Sequence, residues 1–365
     1  MRICTIILCI VALGCNEITQ DGSTNISVVN QQEYKLKIDF AKGFSIDYFS
    51  DYTLLKINSL SDKYPFYDSI ILPHKQLASE RKVLPINLQN IACQSSTHIA
   101  FLDQLDATNK VCGLSDIKYM PKDEIYDKII ASGIAELSNN DQIDIERLVN
   151  SNADLFLMYP FEWQSERYKT IDLPTLLVAE YLESTPIARL EWLKFFGCIL
   201  DKAQLADSIF ESVKNQYNTL VENVDSTETV LFNLPFKDNW DMPSGLSLTA
   251  NLAKDAGLFY DVASKNMDNI VMSREKAWEK GMLAKYWIII ASRPEDFSLT
   301  DLIDEMPVYK EFPSVKSKKV LFCNTAYSSY FTKGVIEPHI LLKDILFLTG
   351  KIDVHSPKYF KLLDD

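Results

Sequence analysis

The residues of this chain best suited to nucleophilic or metal chemistry are its four histidines and seven cysteines, and their placement supports neither. His74, His98, His339 and His355 stand far apart, and no CxxC or Cys/His pair falls at the separation a tetrahedral metal site needs. No GxGxxG follows a strand-like run, and the chain has no phosphate loop, GxSxG elbow or HExxH. We therefore assign no catalytic residue and no metal ligand. What the chain offers is a set of rings at predicted strand ends and in loops. Tyr159, Phe161 and Trp163 follow one apolar run, Trp240 follows another, and Tyr327, Tyr330 and Phe331 follow the last. In parallel α/β sheets ligands collect at the carboxyl ends of strands, where aromatic side chains make wide, rigid, apolar walls for a flat or greasy ligand. Tyr159, Phe161, Trp163, Trp240 and Tyr327 are the expected ligand-binding set, joined by Ser95 in the turn after the first predicted strand. Phe161 and Phe331 read equally well as core. Trp192, Trp278 and Trp287 belong to helices or a buried strand and are assigned to packing.

Positioning such rings takes alternating strands and helices, and the chain supplies them twice. Residues 33 to 72 carry short antiparallel-type runs. Strands are then predicted at Asn87 to Ala92, Lys110 to Leu114, Ala153 to Tyr159 and Leu173 to Ala179, with helices between them, which favours a parallel sheet. A helix opened by Thr185-Pro186 leads to the longest one. From Asp201 to Val224, Ala206, Phe210, Val213, Tyr217, Leu220 and Val224 recur at helical spacing, and Asp201 with Gln204 has the form of a capping box. Such a helix spans roughly 35 Å at 1.5 Å per residue. Periodicity alone fits an ordinary surface helix; its place between two α/β halves fits a spine joining two lobes. After it, strands are predicted at Thr229 to Leu234, Tyr286 to Ala291 and Lys318 to Asn324, and helices at Ser247 to Ala256, Ser273 to Gly281 and Pro338 to Leu348. The expected fold is α/β, with two Rossmann-like lobes over residues 33–200 and 225–365 joined by one long helix over 201–224.

At 365 residues the chain is long enough for two cores. Its net charge of −13, without a basic stripe, argues against nucleic acid as a partner. Arg2, the apolar run Ile3 to Val11, and Ala12-Leu13-Gly14-Cys15 resemble a bacterial lipoprotein signal, which makes Cys15 the lipidated first residue of the mature chain. Residues 1–15 are too few to span a bilayer, and the polar stretch 16–32 reads as a tether. Cys93, Cys112, Cys198 and Cys323 are expected to be buried free thiols, with a Cys93–Cys112 bridge conceivable.

Several stretches taken together resemble the substrate-binding proteins of iron-siderophore, haem and vitamin B12 importers. They are Ile91 to Leu102 (IACQSSTHIAFL), Asp144 to Leu155 (DIERLVNSNADL), Trp240 to Ser247 (WDMPSGLS) and Gly334 to Asp344 (GVIEPHILLKD). The run from Glu180 to Trp192 (EYLESTPIARLEW) looks like a branch of that family found in Bacteroidetes lipoproteins. The resemblance implies two lobes on one long helix, an iron chelate, haem or corrinoid bound between them, and no reaction. It also implies delivery to an ABC permease and its ATPase, with a carboxylate on each lobe docking onto permease arginines. Glu146 and Glu275 fall at those positions, on predicted helices that precede strands, although both also suit a solvated helix face. His339 stands where relatives often have Asp. The expected protein is a monomer, lipid-anchored in the envelope and facing the periplasm. Its rivals are a bare-metal receptor, a two-domain envelope enzyme and a lipoprotein that merely holds partners together.

Overall fold

The computed structural model describes residues 34–60, 65–76, 82–140, 142–163, 168, 171–221, 228–237, 239–263 and 269–365. Cys15 and the 16–32 tether lie outside them. Phe44–Tyr48 (β1), Tyr52–Asn58 (β2) and Tyr67–Pro73 (β3) form an antiparallel meander. The segment before it is strapped to a later helix through buried carboxylates. Glu191 accepts from the N–H groups of Asp39, Phe40 and Ala41 at 3.0, 2.7 and 2.7 Å, and Glu183 accepts from those of Lys42 and Gly43. These bonds offset the cost of burying the two charges.

Ile91–Cys93 (β4) is wholly buried, and Ser95 then caps Ser96–Gln104 (α1) by accepting from the Thr97 N–H. The chain continues through Val111–Leu114 (β5), Glu124–Ala131 (α2), Ala135–Glu136 (β6), the small hairpin of Ser138–Asn139 (β7) and Gln142–Ile143 (β8), and Ile145–Asn150 (α3). Leu155–Met158 (β9), Pro160–Trp163 (α4) and Thr175–Leu177 (β10) follow. β10, β9, β4, β5 and β6 pair in that order as a parallel sheet. All residues of β4, β9 and β10 are buried, the pattern of strands covered on both faces.

Thr185 caps Pro186–Ile199 (α5), with proline in the first turn. The chain next takes a sharp bend. Asp201 adopts φ +55°, its N–H meets the Cys198 carbonyl at 3.4 Å, and the Lys202 N–H meets the Gly197 carbonyl at 2.7 Å. This is a Schellman ending. Asp201 thus terminates α5 instead of opening the next helix with a capping box, a correction to the sequence expectation. Ala203–Val221 (α6) follows and buries Ala206, Phe210, Val213 and Tyr217, residues of the apolar stripe in the sequence. A side chain at Gly197 would put its Cβ 2.4 Å from that of Ala206, so glycine there lets α5 and α6 approach. With 19 residues, α6 is roughly 28 Å long, and in the chain it lies between the two sheets.

The second half begins with Glu228–Phe232 (β11), Pro235–Phe236 (β12), Asn239–Met242 (β13), Leu248–Asp255 (α7) and Leu258–Phe259 (β14). Ile270–Ser273 (β15), Arg274–Gly281 (α8), Tyr286–Ala291 (β16), Leu299–Glu305 (α9) and Pro313–Lys316 (α10) come next. Val320–Asn324 (β17), Tyr330–Lys333 (α11), Pro338–Leu348 (α12) and Lys361–Leu362 (β18) close the chain. The sheet order is β14-β11-β16-β17-β18, parallel except for β18. An antiparallel sheet that the sequence reading lacked, β12-β13-β15, lies beside it in the chain. From Lys35 to Asp365 the chain packs as one body, because Phe101 of α1, Trp192 of α5, Phe210 of α6 and Leu342 of α12 share one continuous apolar core.

Candidate ligand-binding site

A narrow cavity opens where α5 of the first half meets α7, α11 and α12 of the second. Pro186 and Arg189 come from α5, Leu248 and Leu252 from α7, Tyr330 and Phe331 from α11, and Pro338 and Leu341 from α12. Each is delivered by a feature of local sequence. Thr185-Pro186 starts α5 so that Arg189 stands in its first turn, and Ser247 caps α7 so that Leu248 and Leu252 share a face.

Behind Arg189 runs a chain of polar groups in the first half. The Tyr159 hydroxyl donates to Ser95 Oγ, which is 2.8 Å from Thr97 Oγ1. Thr97 Oγ1 donates in turn to Glu180 Oε1 at 2.7 Å, and an Arg189 terminal nitrogen stands 3.9 Å from that oxygen. Glu180 is fully buried, and burial pushes its carboxyl above the usual range against the opposing pull of Arg189. Its Oε2 and the Arg189 Nε have no hydrogen-bond partner. Burial also raises Tyr159, to about 12, and Tyr330, with the Arg189 charge opposing both shifts. The guanidinium is therefore within electrostatic reach of a tyrosine from each half.

The two halves meet on both sides of this cavity. α1 packs against α11, and the Ser329 hydroxyl donates to Asp123 Oδ2, which is also 3.7 Å from Lys333 Nζ. Asn251 Nδ2 donates to the Ser184 carbonyl at 2.8 Å.

The structure gathers some of the expected residues and separates others. Ser95 and Tyr159 are hydrogen-bonded to each other, and Phe161, 46% exposed, stacks on Tyr159 with ring centroids 5.3 Å apart. Tyr327 is 58% exposed but is not among the residues lining the cavity, whereas Phe331, also 58% exposed, is. The side chain of Trp163 lies outside the described residues. Trp240 is corrected outright. It has no exposed surface, its Nε1–H donates to the Phe232 carbonyl at 2.9 Å, and its ring packs 5.9 Å from Trp287 in the core of the second half. It sits within a strand, not after one, so its side chain points into the layer beneath the sheet. The alternation of Asn239-Trp-Asp-Met, exposed and buried in turn, is the signal that marks this strand.

Glu146 and Glu275 occupy matching places: each is exposed and second in its helix, α3 capped by Asp144 and α8 capped by Ser273. His98 is buried against Tyr159 and Phe196, with neither ring nitrogen hydrogen-bonded, and burial lowers it to about 3. His339 stands in the first turn of α12, lowered by burial. Cys93, Cys112, Cys198 and Cys323 are free thiols. Among the described residues no three His, Cys, Asp or Glu side chains converge on a metal position, and no helix is long and apolar enough to cross a membrane. Arg189 and Glu180 were absent from the sequence-based site. They stood in view, a cation and an anion nine residues apart, but only their burial and mutual approach give them meaning.

No family model matches the chain. An uncharacterized lipoprotein of Methanocaldococcus jannaschii is 22% identical over 288 residues, 74% of this chain and 67% of that protein. Among solved structures, a periplasmic binding protein of Veillonella parvula superposes with a TM-score of 0.62 at 14% identity, covering 82% of this chain and 99% of its own. An ABC-type Fe3+-hydroxamate transport protein of Saccharomonospora viridis gives 0.57 at 15% identity, covering 72% and 93%. A periplasmic haem-binding protein of Vibrio cholerae gives 0.56 at 13% identity, covering 72% and 98%. Two of these three structures are binding proteins by name, and all three align with this chain over nearly their whole length. The chain has the two-lobe α/β fold of the periplasmic binding proteins for iron chelates, haem and vitamin B12, the family its sequence resembles.

Proposed function

We propose that this protein is the substrate-binding component of an ABC importer, anchored in the cell envelope by a lipid on Cys15. It captures an iron chelate, haem or a corrinoid between lobes formed by residues 33–200 and 225–365, with 201–224 as the connecting spine, and releases it unchanged to a membrane permease. The observation that carries this reading is the cavity itself, walled by Tyr330, Phe331 and aliphatic side chains at the meeting of the two halves. Apolar walls with few charged groups suit the apolar face of a flat or greasy ligand held by burial between the two halves. A helical connection limits closure to a small rotation, in contrast to receptors hinged on extended strands.

The exposed Glu146 and Glu275, placed alike on helices of the two halves, are the proposed contacts for permease arginines. Charges of this kind fix orientation and register more than affinity. Reversing both, in Glu146→Lys with Glu275→Lys, is expected to abolish uptake in cells while purified protein keeps its ligand affinity. Uptake that survives the double reversal removes the docking assignment, and loss of affinity shows that the carboxylates serve the cleft instead.

A further inference from the structure

We propose, resting on the lipid anchor of the reading above, that the amino-end edge of the second sheet is a seat for an anionic phospholipid surface, that of the bilayer holding the anchor. Three exposed apolar side chains stand together there. Leu283 is 76% exposed, and Phe259 and Met282 are each 48% exposed. They are neighbours because Thr229 of β11 pairs with Phe259 of β14, while its hydroxyl donates to the Leu283 carbonyl at 2.6 Å. Lysines border them. The Lys285 N–H donates to the Thr229 carbonyl at 3.0 Å, and the Lys285 and Lys319 ammonium groups lie 5.7 and 5.2 Å from the centre of one ring, that of Tyr286. Lys318 adjoins them at the start of β17.

Charge commits this edge to a lipid surface. Residues 276–285 and 310–319 hold seven lysines against two acidic residues, Glu279 and Glu311, or +5, which leaves −18 for the rest of a chain of net −13. Lys285, Lys280 and Lys318 also meet Glu228, Asp261 and Asp365, so the edge is mixed in charge, with lysine in excess over the two segments. An acidic body tied to an anionic bilayer is repelled by it except where lysines gather. There, amines reach headgroup phosphates while Leu283, Met282 and Phe259 enter the apolar boundary beneath. Each lysine near such a surface favours contact about fivefold, and the anchor makes that contact intramolecular, so a weak patch suffices. β11, β16 and β17 run parallel away from the seat, and α11, which walls the cavity, follows β17 at the other end. Seated, the molecule turns its cavity away from the bilayer that holds it, the pose for capture. Delivery to a permease in that bilayer requires it to lift off.

Nitroxide labels on the full, lipid-bearing chain test this. One is placed on Ser317→Cys, exposed beside the lysines, and one on Glu295→Cys, exposed beyond the far end of β16. The parent protein carried through the same labelling gives the background from its four native thiols. On vesicles of phosphatidylethanolamine and phosphatidylglycerol, the Ser317 label is expected to lose collisions with a water-borne nickel chelate, while the Glu295 label keeps them. Neutral phosphatidylcholine vesicles should restore the collisions at Ser317. Lys318→Glu/Lys319→Glu should lower the ratio of seated to unseated molecules at least about twenty-five-fold, from about fivefold for each lysine, and Met282→Ser/Leu283→Ser should lower it as well. Flotation of the protein with the vesicles is measured in every case. Floated protein whose Ser317 label is as accessible as in the soluble Cys15→Ser variant overturns the seat and leaves the anchor standing. Equal shielding at Ser317 and Glu295, equal shielding on neutral vesicles, or shielding that persists in both double variants overturns it too. Protein that does not float overturns the anchor, and the seat with it.

Discussion

Removing the Ser329 hydroxyl tests whether contacts across the cleft set ligand affinity. Ser329 donates to Asp123 Oδ2, and Lys333 lies 3.7 Å from the same oxygen. The other carboxylate oxygen is occupied locally, accepting from the Ile125 and Tyr126 N–H groups at 3.0 Å as the cap of α2. Ser329→Ala thus cuts the link between halves and leaves the cap whole. The Ser329 carbonyl still accepts from Thr332 and Lys333 N–H, so α11 keeps its first turn. A hydrogen bond to a charged acceptor contributes about 1.5–3 kcal/mol when well buried. Here the Asp123 and Lys333 side chains are 20% and 18% exposed, so about 1–2 kcal/mol is the fitting range after solvent screening. If ligand binds the closed form and the free protein is mainly open, that loss enters the dissociation constant in full, a weakening of about five- to thirtyfold. Isothermal titration with whichever ligand binds gives the constant, and small-angle scattering of the free and bound protein reports closure. Thermal stability should change little, because the apolar core that the two halves share does not depend on this hydroxyl. Affinity unchanged within about a factor of two in both Ser329→Ala and Ser329→Ala/Lys333→Met refutes a role in affinity for the Ser329–Asp123 contact between the halves.

Trp240→Ala should destabilise the fold by about 3–5 kcal/mol, as a large-to-small core change that also orphans the Phe232 carbonyl. The remaining folded protein should bind normally; a stable variant with weakened binding would return Trp240 to the cleft. His98, lowered by burial to about 3, gives stability that is complete above its unfolded value near 6.5. That stability is lost as pH falls toward 3, at about 1.4 kcal/mol per unit, because only the unfolded chain takes up the proton. Urea titrations across this range should show a shallower acid slope for His98→Leu, and an identical slope contradicts the assignment.

Most of the framework was legible because it rests on local signals. Ser95, Thr185, Ser247 and Ser273 each stand at the start of an expected helix, and each caps it. The all-apolar Tyr286–Ala291 reads as a buried parallel strand and is one. Asp201 shows where such reasoning stops: it has the composition of a helix start, but the preceding helix needed a left-handed residue to end on, and a tertiary bend outweighed the local cap. β12 has only two residues and the alternation of β13 spans only four, and without that pairing Trp240 moved from core to cleft in the expectation. The site was less legible because its parts are distant in sequence. Arg189 meets Tyr330 and Phe331 only after α5 and α11 have packed, and nothing in the spacing of Glu180 and Arg189 indicates that both face an interior.

Native mass spectrometry of the purified protein, exposed to haemin, cobalamin and a panel of iron chelates, tests the central claim most directly. A single one-to-one complex with one ligand class is expected to survive desolvation, with the ligand recovered at unchanged mass. Absence of a complex with every ligand, or recovery of a chemically altered ligand, contradicts it.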